Sequence, residues 1–266
     1  MGAALPLTDL SPLLPLLRER PFGLITDLDG TISVTAPTPD QAIVSPACRR
    51  YLEAIAARAE LVAVVSGRPV EDARRLVGLE GIAYVGLHGF SLPVPPVWTE
   101  ESIAHYTVLA RGLLGELRRA ISLPGVLLED KGPLIALHYR QAADTVVARE
   151  AILDAIGAAV SARGFAVHEG KMAIELRPPI PAAHKGTVVR HLVGQHGLRS
   201  VLYIGDDVTD IDAFRALREA TAFRGASAVV VTRETPSDVL EAADYRLEGV
   251  AGAEWLLGEV STALRP

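Results

Sequence analysis

The feature that most constrains this chain is a rhythm of short apolar runs and helix-period segments that breaks once in mid-chain and then resumes. FGLITD (22–27), LVAVVS (61–66) and GIAYVGLHG (81–89) carry β-branched and apolar residues without polar alternation, as strands covered on both faces require. Between them, SPACRRYLEAIAARA (45–59) and VEDARRLV (70–77) space their apolar residues helically, with Ser45 as the N-cap and Pro46 at the first helical position. A βαβαβ order with doubly buried strands predicts a doubly wound parallel sheet.

The rhythm stops at SLPVPPVW (91–98), where Pro93, Pro95 and Pro96 fall together. A long helix over 101–120 precedes two strand-like arms in LLEDKGPLIALHYR (127–140). A second helix over 142–163 precedes two more arms in FAVHEGKMAIELRP (165–178). Helix-plus-hairpin units in succession predict an α+β domain with an antiparallel sheet. Pro178, Pro179 and Pro181 close it, and the parallel rhythm then returns: a helix from 185 stopped by Gly197, the strand VLYIG (201–205), the helix DIDAFRALREA, the strand AVVVT, a helix from 236, DYRL and a last helix to 262. The expected organisation is an α/β, Rossmann-like core formed by 1–93 and 182–266, with an α+β domain inserted over 94–181.

A hydrophobic content of 49% is ample for such a core. The net charge is −6, and no Lys/Arg block stands out to follow a nucleic acid backbone or an anionic membrane. No apolar run reaches the ~20 residues of a membrane span. The apolar N-terminus lacks a basic leader region and is interrupted by Pro6, Pro12 and Pro15, which argues against a secretory leader. Cys48 is the only cysteine, so no internal disulfide forms and a reducing, cytoplasmic setting is expected.

Four motifs fall at strand ends or helix starts. Asp27-Leu28-Asp29-Gly30-Thr31 follows the first strand; residues two apart project to one side, so two carboxyl groups meet at the sheet edge where ligands of such folds bind. Ser66-Gly67-Arg68 offers a hydroxyl and helix-start N–H groups to a phosphoryl oxygen, though Ser-Gly alone is commonly a turn. Lys185 opens a helix, a position mildly unfavourable to a cation unless an anion lies beside it. Gly205-Asp206-Asp207-Val208-Thr209-Asp210 crowds acids at one strand end. A hard divalent cation would relieve their repulsion, and an acidic helix cap is the plainer alternative.

In this order the motifs resemble those of the haloacid dehalogenase superfamily with the larger, α/β type of cap. VSGRP, His88-Gly89, EDKGPLIALHYR, EGKMAIELRP, HKGTVVRHLV and YIGDDVTDIDAF extend the likeness to trehalose-6-phosphate phosphatases, over most of 22–215. The chain departs from that pattern at Phe90-Ser91 and Ile211, where the family commonly has acidic residues, and follows it loosely after 220.

The resemblance implies Asp27 as nucleophile, Asp29 as general acid and base, and Lys185 as the cation beside them. Mg²⁺ would be held by Asp27, the Asp29 carbonyl and Asp206, with Asp207 and Asp210 behind them. Thr31, Ser66, Gly67 and Lys185 would hold the phosphate. Arg68 and His88 in the core, with Lys131, Arg140, Lys171 and Glu175 in the cap, would meet the sugar. His138, His168 and His184 are open between substrate contact and surface roles, and His105, His191 and His196 read as helix-surface residues. The expected partner is a small sugar phosphate, with no nucleic acid and no membrane, and the expected state is a monomer. A phosphatase for a sucrose or mannosyl-glycerate phosphate is the rival reading, and an inert regulatory module the more distant one.

Overall fold

The computed structural model describes residues 4–34, 36, 41–92, 94, 98–170, 172–233 and 235–265. The chain forms two compact units, Met1–Leu92 with Ala183–Pro266, and Pro93–Ala182.

The first unit runs β1 (Leu5–Pro6), α1 (Leu14–Arg18), β2 (Phe22–Thr26), α2 (Pro46–Ala56), β3 (Leu61–Val65), α3 (Val70–Val77) and β4 (Ala83–Val85). The second contributes α4 (Glu100–Ala120), β5 (Leu127–Asp130), β6 (Ile135–His138), α5 (Thr145–Ala158), β7 (Ala166–Gly170) and β8 (Ala173–Arg177). The first then resumes with α6 (Lys185–His196), β9 (Ser200–Gly205), α7 (Ile211–Arg218), β10 (Arg224–Val231), α8 (Ser237–Ala242), β11 (Tyr245–Glu248) and α9 (Gly249–Ala263).

The first unit's sheet has the order β1-β11-β10-β9-β2-β3-β4, and every pairing in it is parallel. Strand periodicity distributes its side chains to two cores. Leu24, Val62, Val64, Leu202 and Ile204 pack with Leu52 and Ile55 of α2 and with Leu256, Leu257 and Val260 of α9. The alternate residues Ile25, Ala63, Val65, Val201 and Tyr203 pack with Val188, Val189 and Leu192 of α6 and Phe214 of α7. From β2 the chain builds outward to β4, then returns to lay β9, β10 and β11 on the other side. The crossover direction therefore reverses between β2 and β9, and the carboxyl ends of those strands flank a crevice.

In the second unit, β5-β6-β8-β7 form an antiparallel sheet. One face sends Ile135, Leu137, Ile174 and Leu176 into a core with Leu113 and Leu117 of α4 and Ile152 and Ile156 of α5. The register places Glu129, His138, His168, Glu175 and Arg177 on the opposite face.

The α/β core and the separate antiparallel sheet match the fold expected from sequence. Ser45 caps α2 by accepting from the Cys48 N–H, and Gly197 ends α6 in the left-handed conformation at φ 59°. Some boundaries differ. The strand expected over 81–89 ends at Val85, because Leu87 and His88 take positive φ in a 3₁₀ turn. The helix expected over 142–163 is α5 alone; Asp144 caps it through the Val146 and Val147 N–H groups, and Val160–Gly164 is a 3₁₀ turn. The apolar start of the chain adds the edge strand β1 beside β11, and Leu13, Leu16 and Leu17 bury themselves in the core.

Leu202 is fully buried in the middle of β9, so its replacement leaves a cavity that rigid neighbours cannot fill. Leu202→Ala is expected to lower unfolding free energy by about 2–5 kcal/mol, read as a fall in the urea midpoint; an unchanged midpoint would contradict the packing described.

Candidate active site

The crevice between β2 and β9 collects the acids. Asp27 follows β2, and its N–H donates to the Ile204 carbonyl at 2.8 Å, which fixes it one residue before the Gly205-Asp206 turn on the neighbouring strand. Gly30, at φ +83°, lets the chain fold back on itself, and a Cβ there would run into the Asp206 carboxylate. Thr31 is buried and donates from Oγ1 to Asp206 Oδ1 at 3.1 Å. The two aspartate loops are thus tied together by side chains 175 residues apart in sequence.

Lys185 is the centre of the charge arrangement. At the first position of α6 its side chain is only 2% exposed, and Nζ donates to Asp27 Oδ1 and Asp210 Oδ1, each at 2.7 Å. Burial alone would pull its pKa down, but Asp210 and Asp27 hold it above the ordinary lysine value. The two partners are not equivalent. Asp210 also accepts from the Tyr203 hydroxyl at 2.6 Å and from the Asp206 and Asp207 N–H groups at 3.0 Å. Burial works to raise Asp210, yet Lys185, Tyr203 and the Asp207 N–H keep it below the usual carboxylate range. Asp27 shares the same lysine but lacks those extra donors. Burial pushes it well above the usual range; Lys185 opposes this, and Asp210 and Asp206 reinforce it.

This imbalance tests whether the residues fit a cation. Asp27, Asp206 and Asp210 each bring a carboxylate oxygen to within 4.8 Å of the others, all three buried. Four donors occupy Asp210, whereas the Asp27 carboxylate accepts from Lys185 alone among the described residues, and carboxylate oxygens are the ligands a hard cation takes readily. A divalent cation there would supply the charge that one lysine does not. The residues fit a metal site.

The other core positions surround this centre. Ser66, buried after β3, accepts the Arg68 N–H on Oγ at 3.2 Å and the His88 N–H on its carbonyl at 3.0 Å. His88 packs so closely over Gly67 that a Cβ on Gly67 would come within 2.5 Å of the ring. Arg68, assigned to the sugar on resemblance, spends its guanidinium on Asp29: Nε donates to Oδ2 at 2.6 Å and Nη2 to Oδ1 at 2.7 Å. Asp207 starts the turn before α7, and its side chain and that of Asp210 cap each other's backbone. His184 caps α6 and contacts Thr187 and, at 3.8 Å, Asp212.

In the second unit, Lys131 donates from Nζ to Glu175 Oε1 at 2.8 Å. Glu175 Oε2 accepts from Arg177 Nε at 2.9 Å and Nη2 at 2.6 Å. His138 pairs with Glu129 at 2.7 Å on the same face. Arg140 lies just past β6 in a turn, half-buried, and Lys171 lies outside the described residues. Sequence reading passed over Tyr203, Glu129 and Arg177. Strand alternation would have put Arg177 beside Glu175 and Glu129 across from them, whereas the reach of Tyr203 to Asp210 leaves no local signal.

A parallel sheet with paired aspartates at its switch point, a buried lysine, an acidic turn and an inserted α/β unit defines a protein of the haloacid dehalogenase type. The trehalose-phosphatase family model matches residues 25–251, and the chain belongs to that family. It is 35% identical over 259 residues to a trehalose-phosphate phosphatase of Mycobacterium marinum, covering 92% of this chain and 64% of that relative. The chain therefore spans just under two thirds of that protein's length. The C-terminal domain of the Candida albicans trehalose-6-phosphate phosphatase shares the fold, with a TM-score of 0.78 and 19% identity over 98% of this chain and 99% of that one. So does the C-terminal domain of a Candida albicans trehalose synthase regulatory protein, at a TM-score of 0.67 and 12% identity over 98% of this chain and 100% of that one.

The raised Asp27 has a consequence for stability. A carboxyl with a folded-state pKa above its unfolded value binds more protons when folded, so its contribution declines as pH rises past the unfolded value. Asp27→Asn removes that penalty. In EDTA, the stability of Asp27→Asn relative to wild type is expected to rise with pH from the ordinary carboxylate range upward, measured by urea unfolding at several pH values. A difference independent of pH would refute the burial argument.

Proposed function

We propose that the chain is a Mg²⁺-dependent phosphomonoesterase that hydrolyses trehalose 6-phosphate to trehalose and phosphate. The observation that carries this reading is the asymmetry at the switch point. Asp210 is saturated with donors, and beside it lies the under-satisfied, buried carboxylate of Asp27. Membership in the trehalose-phosphatase family supports the sugar.

In the first step an Asp27 carboxylate oxygen attacks phosphorus, and the bond from phosphorus to the sugar oxygen breaks. The departing oxygen takes a proton from the Asp29 carboxyl. In the second step water attacks phosphorus, gives a proton to Asp29, and the phosphorus–Asp27 bond breaks. Lys185 keeps one Asp27 oxygen fixed and leaves the other for the attack. Ser66, Gly67 and Thr31 would receive the phosphoryl oxygens with backbone and hydroxyl donors. For Asp29 to reach the leaving oxygen, a carboxylate oxygen must turn away from the Arg68 fork; Arg68, freed in that motion, can then meet the substrate's negative charge. Mg²⁺, held by Asp27, Asp206 and the Asp29 carbonyl, would neutralise charge as a carboxylate approaches a phosphate dianion. His88 lies against the Gly67 turn, and Lys131, Arg140, Lys171 and Glu175 would read the sugar hydroxyls by hydrogen bonds.

Phosphate release is expected to be fastest from trehalose 6-phosphate in a panel with glucose 6-phosphate and sucrose 6-phosphate; preference for another member would reassign the substrate. EDTA should stop turnover and Mg²⁺ restore it, with Ca²⁺ a poor replacement because its looser coordination misplaces the attacking oxygen. Full activity without metal would remove the cation from the scheme. Glu175→Ala should lower kcat/KM for trehalose 6-phosphate by roughly 10- to 150-fold, the loss of one charged hydrogen bond, and barely change p-nitrophenyl phosphate. Equal losses on both would make Glu175 a structural residue.

A further inference from the structure

We propose that Arg177 is a positioning residue for sugar recognition: it fixes the Glu175 carboxylate and, through it, the Lys131 ammonium on the polar face of the second unit's sheet. The proposal rests on the sugar-reading role given to Glu175 and Lys131 above.

Glu175 lies on β8 with Ala136 opposite it on β6 and His168 opposite it on β7. Its side chain is 13% exposed, that of Lys131 8% and that of Arg177 14%, so three charged groups sit side by side with little water. Both Glu175 oxygens accept from cations. Oε1 takes Lys131 at 2.8 Å, and Oε2 takes Arg177 through both Nε and Nη2. The carboxylate is therefore held from both ends and its terminal torsion is set.

Without Arg177 several alternatives open. Both Glu175 oxygens could turn to Lys131, or the carboxylate could swing across the strands toward His168. Lys131, already 3.9 Å from Glu129, could move to that acid instead. Each would relocate a donor or an acceptor that a sugar hydroxyl has to meet. The planar guanidinium suits the task because Nε and Nη2 are rigidly spaced; an ammonium supplies charge without that geometry.

A purely stabilising role fits the placement poorly. The apolar core of this unit lies on the other face of the sheet, with Ile174 and Leu176. Buried ion pairs are commonly no more stabilising than apolar side chains of the same size, and their best-attested use is to specify an arrangement.

The test compares wild type, Arg177→Gln and Arg177→Lys, alone and with Glu175→Gln, on trehalose 6-phosphate and p-nitrophenyl phosphate, with thermal melts of each. Arg177→Gln is expected to raise KM for the sugar phosphate roughly 5- to 50-fold, with kcat, and all rates on p-nitrophenyl phosphate, within about twofold. Arg177→Lys should recover part of the loss. In the Glu175→Gln background, Arg177→Gln should cost less than about twofold more, since the group it positions is already altered. An unchanged KM, an equal loss on both substrates, or full additivity with Glu175→Gln would each overturn the proposal. Should Arg177→Gln melt early, Arg177→Lys carries the same comparison. If wild type cleaves another sugar phosphate in place of trehalose 6-phosphate, the substrate assignment fails by itself and the Arg177 comparison is made on that sugar. A wild type that cleaves no sugar phosphate overturns both.

Discussion

The bridge from Lys185 to Asp27 and Asp210 organises everything else in the first unit. One buried cation, 2.7 Å from Asp27 and from Asp210, cannot neutralise a cluster of three buried carboxylates. Tyr203 and two backbone N–H groups settle Asp210, and the deficit falls on Asp27. That residual negative charge is what a metal ion would complete. Lys185 opens α6 against the usual preference for an anion at a helix start, and its buried ammonium meets both acids from there.

The sheet makes that bridge possible. Asp27, Asp206 and Asp210 come from strands that are neighbours in space and far apart in sequence, joined because the winding direction reverses between β2 and β9. Small residues close the remaining gaps. Gly30 and Gly205 admit the carboxylates of Asp206 and Asp210 where any Cβ would collide with them. The fold is shared with the C-terminal domain of a trehalose synthase regulatory protein, so function has to be argued from the charge arrangement at the switch point and not from the fold.

Much of this was legible in the sequence, for physical reasons. Unbroken apolar runs announced the doubly covered strands, and the two helix-plus-hairpin segments announced the separate antiparallel sheet. The DLDGT and GDDVTD motifs disclosed their acids because strand ends are short and local. What escaped were distances across the fold. No spacing rule shows that Arg68 closes on Asp29, that Tyr203 reaches Asp210, or that Leu87 and His88 take positive φ and cut β4 short. Arg177 was visible in principle, since residues two apart on a strand share a face, but its pairing with Glu175 depends on rotamers that the sequence does not set.

The account stands or falls on a covalent bond between phosphorus and one particular carboxylate. The direct measurement is rapid mixing of enzyme, Mg²⁺ and trehalose 6-phosphate carrying radioactive phosphorus, with an acid quench in the first turnover. Borohydride then reduces any acyl phosphate to the corresponding alcohol, which mass spectrometry can place in the chain. The account predicts transient protein-bound phosphate and a reduced side chain at Asp27. Turnover without bound phosphate at any time, or a label confined to another residue, would contradict it.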